Sequence, residues 1–206
     1  MYDLIRMPNN LFARKGTSDE NTWRDVFNAD RTYHRPPLGL KAKVIFDLGA
    51  YVGYTAWDLS QLYPEAEIYA IEPDPQNFDL MNKNLYGNCK VYATCGAIAN
   101  FDGVGILTGE HFNAKKITIG DGYVDVYTLD TFVGSLEKID YIKFDIEGSE
   151  RQVFKIGGKW PSKTKCLTVE LHEGYTKAEC AEDLYQLGFL NIREHKRHPD
   201  ALVAFK

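Results

Sequence analysis

The residues best suited to chemistry in this chain sit at the ends of two apolar runs. In Ile139–Glu147 the odd positions are Tyr141, Lys143, Asp145 and Glu147, and the even ones are Ile142, Phe144 and Ile146. Read as a strand, the run puts its four polar groups on one face, because side chains alternate. A central parallel strand is ordinarily apolar on both faces, so this polar face needs a reason. In Cys166–His172, Glu170 and His172 share a face in the same way, again at the C-terminal end. If the two strands are neighbours, Asp145, Glu147, Glu170 and His172 converge. Two chemistries suit such a set. A carboxylate or His172 could take the proton of an attacking hydroxyl. Alternatively, the oxygen-rich set could hold a divalent cation such as Mg²⁺ or Mn²⁺, which would bind two adjacent hydroxyls of a ligand. Each residue also has a plainer role. Glu147 and Glu150 stand near a helix start, where acids are favoured regardless of catalysis. Lys143 could simply pair with a neighbouring acid, and a lone His is often a satisfied buried side chain.

A second group follows the run Val44–Leu48: Asp47, Gly49, Tyr51 and Gly53. Gly49 lets the chain turn tightly, and Gly53 lets the next helix approach the strand closely. The dinucleotide fingerprint needs Gly where Tyr51 stands, so a pyrophosphate finds less free backbone here. Asp47 would also repel a phosphate, yet it could accept from an ammonium group. Glu72 ends the next apolar run, and an acid there can hold both hydroxyls of a ribose. A ligand so defined has a ribose and a cationic end but no obligatory phosphate. S-adenosylmethionine fits that description, and NAD fits it less well. The alternative is a turn that merely needs two glycines, with Glu72 a solvated charge.

These residues depend on the elements around them. Lys43–Leu48, Glu67–Glu72, Val91–Thr94, Ile139–Ile146 and Cys166–His172 are expected strands. Gly53–Tyr63 has helical spacing, with Pro64 as its stop. Asp74 is placed to cap a helix with Pro75 in its first turn, and Gly87 suits its end. Short strands are expected at Val104–Leu107, Ile117–Ile119 and Val124–Tyr127, and a helix over Ser149–Ile156. Thr176 and Glu179 have capping-box spacing before a helix to Leu187. Phe189–Arg193 and Leu202–Phe205 are expected to close the chain as an antiparallel pair. Such alternation predicts an α/β domain with a largely parallel sheet, whose ligands bind at the carboxyl ends of the strands. Pro36, Pro37 and Gly39 set off a polar N-terminal arm, residues 1–40, from a body of residues 41–206. Within the arm, Thr17 and Glu20 have capping-box spacing, and Trp23, Val26 and Phe27 predict an amphipathic helix over 18–29. That helix could pack on the body or act as a lid over a substrate.

Composition bounds the function. The 206 residues carry a net charge of −5, which argues against a dedicated nucleic-acid binder. The longest charge-free run, Val91–Phe101, is eleven residues, too short to cross a membrane. Cys89, Cys95, Cys166 and Cys180 form no Cys-x-x-Cys pair and read as reduced thiols. With no secretory pattern at Asp3, Arg6, Arg14 and Lys15, a cytoplasmic location is expected. Lys196, Arg197 and His198 read as a solvated basic spot that could attract an acidic glycan. His34, His111 and His195 have no comparable context.

Val44–Thr55 resembles motif I of class I methyltransferases, and Ala70-Ile71-Glu72-Pro73 is similar to their second motif. Ile139–Glu150, with Lys143-Phe144-Asp145-Ile146-Glu147-Gly148-Ser149-Glu150, resembles the Lys-x-Asp-x-Glu-Gly-x-Glu signature of the FkbM family, and Leu129-Asp130-Thr131-Phe132 matches that family's Leu-Asp segment. The likeness runs from about Lys43 to His172. It implies a Rossmann-like, mostly parallel seven-stranded sheet flanked by helices, with one antiparallel strand. It implies O-methylation by S-adenosyl-L-methionine of a sugar or glycan hydroxyl, such as that of a 6-deoxyhexose like rhamnose. By this resemblance Asp47, Gly49, Tyr51 and Gly53 would line the methionine part of the cofactor. Glu72 would hold the ribose, Pro73 and Phe78 would lie near the adenine, and Cys95, Gly96 and Ala97 would form its edge. Domains of this kind also occur fused to glycosyltransferases. Three readings stand beside this one. A nucleic-acid methyltransferase is opposed by the acidic charge and by the lack of an Asn/Asp-Pro-Pro-Tyr segment. A non-catalytic nucleotide-binding scaffold is opposed by the polar strand face, and an NAD enzyme by Tyr51.

Overall fold

The computed structural model describes residues 2–28, 34–37, 39–109, 115–120, 122–172 and 174–206, with no account of the Ile119 side chain. His111 lies outside the described residues.

The chain begins with a hairpin, β1 (Leu4–Arg6) against β2 (Phe12–Arg14), followed by α1 (Asp19–Phe27). The body then alternates: β3 (Val44–Leu48), α2 (Tyr54–Leu62), β4 (Glu67–Glu72), α3 (Pro75–Asn84) and β5 (Val91–Cys95). A smaller excursion follows, with β6 (Ala97–Ile98), β7 (Gly103–Thr108), β8 (Lys116–Ile119) and β9 (Val124–Tyr127). Next come α4 (Leu129–Val133), β10 (Tyr141–Phe144), α5 (Glu150–Ile156), α6 (Trp160–Lys163), β11 (Cys166–Glu170) and α7 (Lys177–Gln186). β12 (Asn191–Glu194) and β13 (Ala201–Phe205) complete it.

Seven strands form the main sheet in the order β12-β13-β11-β10-β3-β4-β5. β3, β4, β5, β10 and β11 pair in parallel, whereas β13 is antiparallel to both of its neighbours. A four-stranded sheet, β6-β9-β7-β8, stands beside it. Strand order reverses between β3 and β10, so a crevice opens at their carboxyl ends. No helix among the described residues is long and apolar enough to cross a membrane.

All four residues of β10 are buried. Ile142 and Phe144 pack with Phe46, Leu48, Leu167 and Val169 into one cluster, and Tyr141 joins Ile45, Leu59 and Ile68 in another. Both faces are therefore covered, as a central parallel strand requires. The Asp74 side chain caps α3 by accepting from the Gln76 and Asn77 amides. The Thr176–Glu179 capping box is present in full.

The structure departs from the expectations at several points. β10 stops at Phe144 rather than Ile146, because Glu147 (φ 56°) and Gly148 (φ 100°) turn the chain and the Ile146 amide donates to Glu150. β11 likewise stops at Glu170, two residues short of His172. Thr17 and Glu20 form no capping box. Ser18 is the N-cap, the Thr17 hydroxyl donates to Arg14 O, and Glu20 accepts from the Gly16 amide. The arm is not helical alone, since its hairpin precedes α1. It joins the body through a cluster of Leu11, Val26, Val52, Tyr54 and Leu80.

Candidate active site

A cleft of about 700 Å³ occupies the crevice. Its floor is the β3–α2 turn and the carboxyl ends of β4, β10 and β11, with Gly49, Tyr51, Glu72, Pro73, Gly96 and Ala97 along one side. Asp145, Glu147, Glu170 and His172 stand along the other. Four predicted residues do not line it, Cys95 among them, half-buried at the end of β5. Asp47 is fully buried behind the turn. Gly53, at φ 84°, caps α2, and a Cβ there would lie 2.9 Å from Met81 Cγ. Phe78 packs against the cluster around Met81 and Leu85. Gly49 is needed for close approach: at φ 77° its Cβ would fall 1.7 Å from the Asp145 carbonyl oxygen, so the turn seats directly on β10's exit.

Lys143 ties that turn to Asp145. Its Nζ lies 3.0 Å from Asp145 Oδ2 and 3.4 Å from Asp47 Oδ1, and donates to Gly49 O at 3.1 Å. Burial alone would lower the lysine's pKa, but Asp145 and Asp47 carry it above the ordinary value. Lys143 therefore stays an ammonium ion. Burial raises the Asp47 carboxyl against the pull of Lys143.

His172 is aimed by a buried acid. Glu150 Oε1 sits 2.9 Å from His172 Nδ1, and the Glu150 oxygens accept from the Ile146 and Gly148 amides at 2.9 Å each. One carboxylate thus fixes both the turn after β10 and the imidazole. His172 Nε2 then faces Asp145 Oδ1 at 3.5 Å and Glu147 Oε2 at 3.4 Å. Burial pulls the imidazole down, yet Glu150, Asp145 and Glu147 together push it up to about 9. Burial and then the Asp145 charge push Glu147 up to about 7. Glu147 holds a left-handed backbone, strain of the kind that gathers at functional sites. Ligand atoms of Asp145, Glu147 and His172 lie within 4.8 Å of one another, a group that could hold a metal ion. Glu170 is outside that group, with His198 Nε2 3.7 Å from its Oε1.

Glu72, the expected ribose acid, is held by three hydrogen bonds. Its Oε2 accepts from the Tyr51 amide at 2.9 Å, and its Oε1 from the Asp74 amide at 3.1 Å and Asn77 Nδ2 at 2.9 Å. A carboxylate has about four acceptor sites, so capacity remains for a ligand hydroxyl. Burial pushes this carboxyl up to about 7.

Other walls were not singled out from the sequence. Thr22, Asp25 and Val26 of α1 line the cleft, as do Lys115 and Ile117 at β8. Arg197 and His198, read as a solvated spot, stand at its mouth. The signal for them was the closing antiparallel pair: Ala201 at the start of β13 pairs with Glu170 at the end of β11, so the β12–β13 turn must lie beside the active strand ends. Glu150, the last acid of the FkbM signature, was given no role beyond that of a helix-start acid.

The switch-point crevice, the glycine turn and the acid ending β4 define the class I, Rossmann-like methyltransferase fold. Solved structures agree. The precorrin-6y C5,15-methyltransferase of Geobacter metallireducens is similar at a TM-score of 0.57 and 14% identity, over 100% of each chain. The Methanococcus jannaschii fibrillarin, a pre-rRNA processing protein, is similar at 0.57 and 14%, over 99% of this chain and 82% of its own. Aeropyrum pernix fibrillarin, solved with natively bound S-adenosyl-L-methionine, is similar at 0.55 and 13%, over 98% and 82%. At such identity these likenesses speak to the fold. Residues 47–196 match the family model described as the methyltransferase FkbM domain, and the chain belongs to that family. It is a methyltransferase of the S-adenosylmethionine-dependent class. No curated protein matches it in sequence.

Proposed function

We propose that the chain is an O-methyltransferase for a hydroxyl of a sugar or glycan, a 6-deoxyhexose such as rhamnose being one such acceptor. The observation that carries this reading is the convergence of Asp145, Glu147 and His172 on the cleft that also presents Gly49 and Glu72. When bound, S-adenosylmethionine supplies a methyl group already activated on a sulfonium. The protein's work is then positioning and proton removal. Glu72 accepts from a ribose hydroxyl, and Gly49, Tyr51, Pro73, Gly96 and Ala97 line the cofactor's side of the cleft. Asp47 and Gly53 act from behind, by holding Lys143 and the start of α2. Asp145 accepts from a neighbouring hydroxyl of the acceptor and so orients the attacking oxygen toward the methyl. Glu147, tuned to about 7, takes the proton of the attacking hydroxyl as the new C–O bond forms and the methyl–sulfur bond breaks. His172 steadies both carboxylates.

A second reading rests on the same three donors. Their hard oxygens and one imidazole fit Mg²⁺ or Mn²⁺, and Asp145, Glu147 and His172 would be the ligands. Such an ion would supply Lewis acidity toward two adjacent hydroxyls. The four free cysteines suit a reducing compartment, so cytoplasmic action, alongside glycosyltransferases, belongs to this proposal. RNA as acceptor is disfavoured by the net charge of −5.

Calorimetric titration with S-adenosylhomocysteine, with NAD as control, tests the cofactor. A panel of sugar acceptors, with and without EDTA, tests the reaction and separates proton transfer from metal assistance. Methylation of RNA at low salt but of no sugar would overturn the acceptor class.

A further inference from the structure

The N-terminal arm reaches the cofactor side of the cleft through a buried charge pair. Arg14, closing β2, forks onto Asp19 at the start of α1: Nε donates to Oδ2 at 2.8 Å and Nη2 to Oδ1 at 2.8 Å. The Arg14 amide donates to Asp19 Oδ2 at 2.7 Å as well. The two side chains are 3% and 0% exposed. Such a fork is rigid as well as strong.

Two hydrogen-bonded paths lead from this pair to Glu72. On the first, Arg14 Nη2 donates to Asn77 Oδ1 at 2.8 Å, and Asn77 Nδ2 donates to Glu72 Oε1 at 2.9 Å. On the second, the Tyr51 hydroxyl donates to Asp19 and lies 3.3 Å from Arg14 Nη2 and 3.0 Å from Ser18 Oγ. The Tyr51 amide then donates to Glu72 Oε2 at 2.9 Å. The paths end on different oxygens of one carboxylate, which sets both its position and its rotation. Tyr51 itself holds a left-handed backbone (φ 53°), which the grip on its hydroxyl helps to maintain. Stability alone does not call for this arrangement. A buried ion pair is often no more stabilising than apolar packing, and the Leu11–Val26–Leu80 cluster already anchors the arm.

We infer that Arg14 is a positioning residue for the cofactor, fixing the Glu72 carboxylate through Asn77 and Tyr51 so that docking of the arm and binding of S-adenosylmethionine form one coupled equilibrium. This rests on the reading of Glu72 as the ribose acid. Coupling is reciprocal: whatever docking adds to affinity, the cofactor must return as protection of the arm. The arm is then part of the cofactor site rather than a lid over it.

Affinity for S-adenosylhomocysteine is to be measured by calorimetry in the wild-type chain and in Arg14→Gln, Tyr51→Phe, Glu72→Gln and the Arg14→Gln/Glu72→Gln double variant. Arg14→Gln is expected to weaken binding about ten-fold, Tyr51→Phe less, and most of the Arg14 effect is expected to vanish in the Glu72→Gln background. Hydrogen exchange in β2 and α1 should slow when S-adenosylhomocysteine is added to the wild type, and much less in Arg14→Gln. A lowered melting temperature with unchanged affinity would leave Arg14 a purely structural residue and overturn the inference. Additive losses in the double variant would overturn the route through Glu72. Should Arg14→Gln not fold, Tyr51→Phe keeps the ring and supports the same comparison. Absence of binding by the wild-type chain would instead overturn the cofactor reading, and the inference with it.

Discussion

Two acid–cation groups share Asp145 and differ in their access to solvent. Lys143 and Asp47 are sealed, with side chains 3% and 0% exposed. His172 and Glu147 stand at the cleft, 16% and 23% exposed. The residue types are nearly the same, yet the physical outcome is not. In the sealed pair, a full charge must be met by a full opposite charge, because leaving either alone is costly. Lys143 remains an ammonium ion and serves as a strut, joining the glycine turn at Gly49 to the strand end at Asp145. In the open pair burial is partial, and the protons sit where they can move: Glu147 is pushed to about 7 and His172 to about 9. Solvent access, more than residue type, separates a fixed charge from one that can titrate near neutrality here.

Asp145 belongs to both groups, so its loss should cut deepest. Asp145→Asn is expected to lower turnover about a thousand-fold while S-adenosylhomocysteine affinity stays within a few-fold. Full turnover in that variant would remove Asp145 from the chemistry. The sealed pair should fail in a different currency. Lys143→Met strands Asp47 in the interior, with an expected loss of about 3–5 kcal/mol of stability in urea denaturation. Adding Asp47→Asn should recover part of it. If Lys143→Met melts like the wild type, the strut is not structural and the contrast between the groups collapses.

The open pair predicts a pH response. Glu147 accepts a proton only when ionised, so kcat/KM should rise with pH through about 7. His172 is raised above its unfolded value of about 6.5. Its contribution to stability is therefore fully present below that value and lost as pH rises through about 9. Glu150→Gln removes the charge on Nδ1 and should lower the His172 titration by about one unit, read from its imidazole NMR signals. An unmoved titration would mean that Asp145 and Glu147, not Glu150, hold the proton on His172.

Much of this was legible in the sequence. Asp145, Glu147 and His172 each follow an apolar run, and strand ends converge wherever parallel strands are neighbours. Glu72 and Gly49 were legible for the same reason. What stayed hidden was either too short or dependent on packing. β1 and β2 span three residues each, and α6 four, less than a period-2 or helical pattern needs to declare itself. Asp47 and Phe78 carry the right chemistry, but which face of the sheet a helix covers decides whether they meet the cleft. Arg14 has a near partner in Asp19, but Tyr51 and Asn77, which link it to the cleft, are far away in sequence. Glu150 looked like a helix-start acid and is one, yet its carboxylate also orients His172.

Glu170 gives the smallest expected effect and the finest test of the contrast. Alternation on β11 placed it with His172, and it does line the cleft. The early end of β11 separates the two, since His172 lies beyond the strand, where Glu150 holds its imidazole, while Glu170 stays paired with Ala201. Its carboxylate stands 3.7 Å from His198, at the rim where Arg197 also lies. A partly exposed pair of that kind is worth roughly 0–1 kcal/mol. Glu170→Gln should therefore alter the acceptor KM by about five-fold or less and leave the pH profile in place. A loss as deep as that of Asp145→Asn would extend the reactive group to four residues, with β11 itself, rather than the turn beyond it, supplying the fourth.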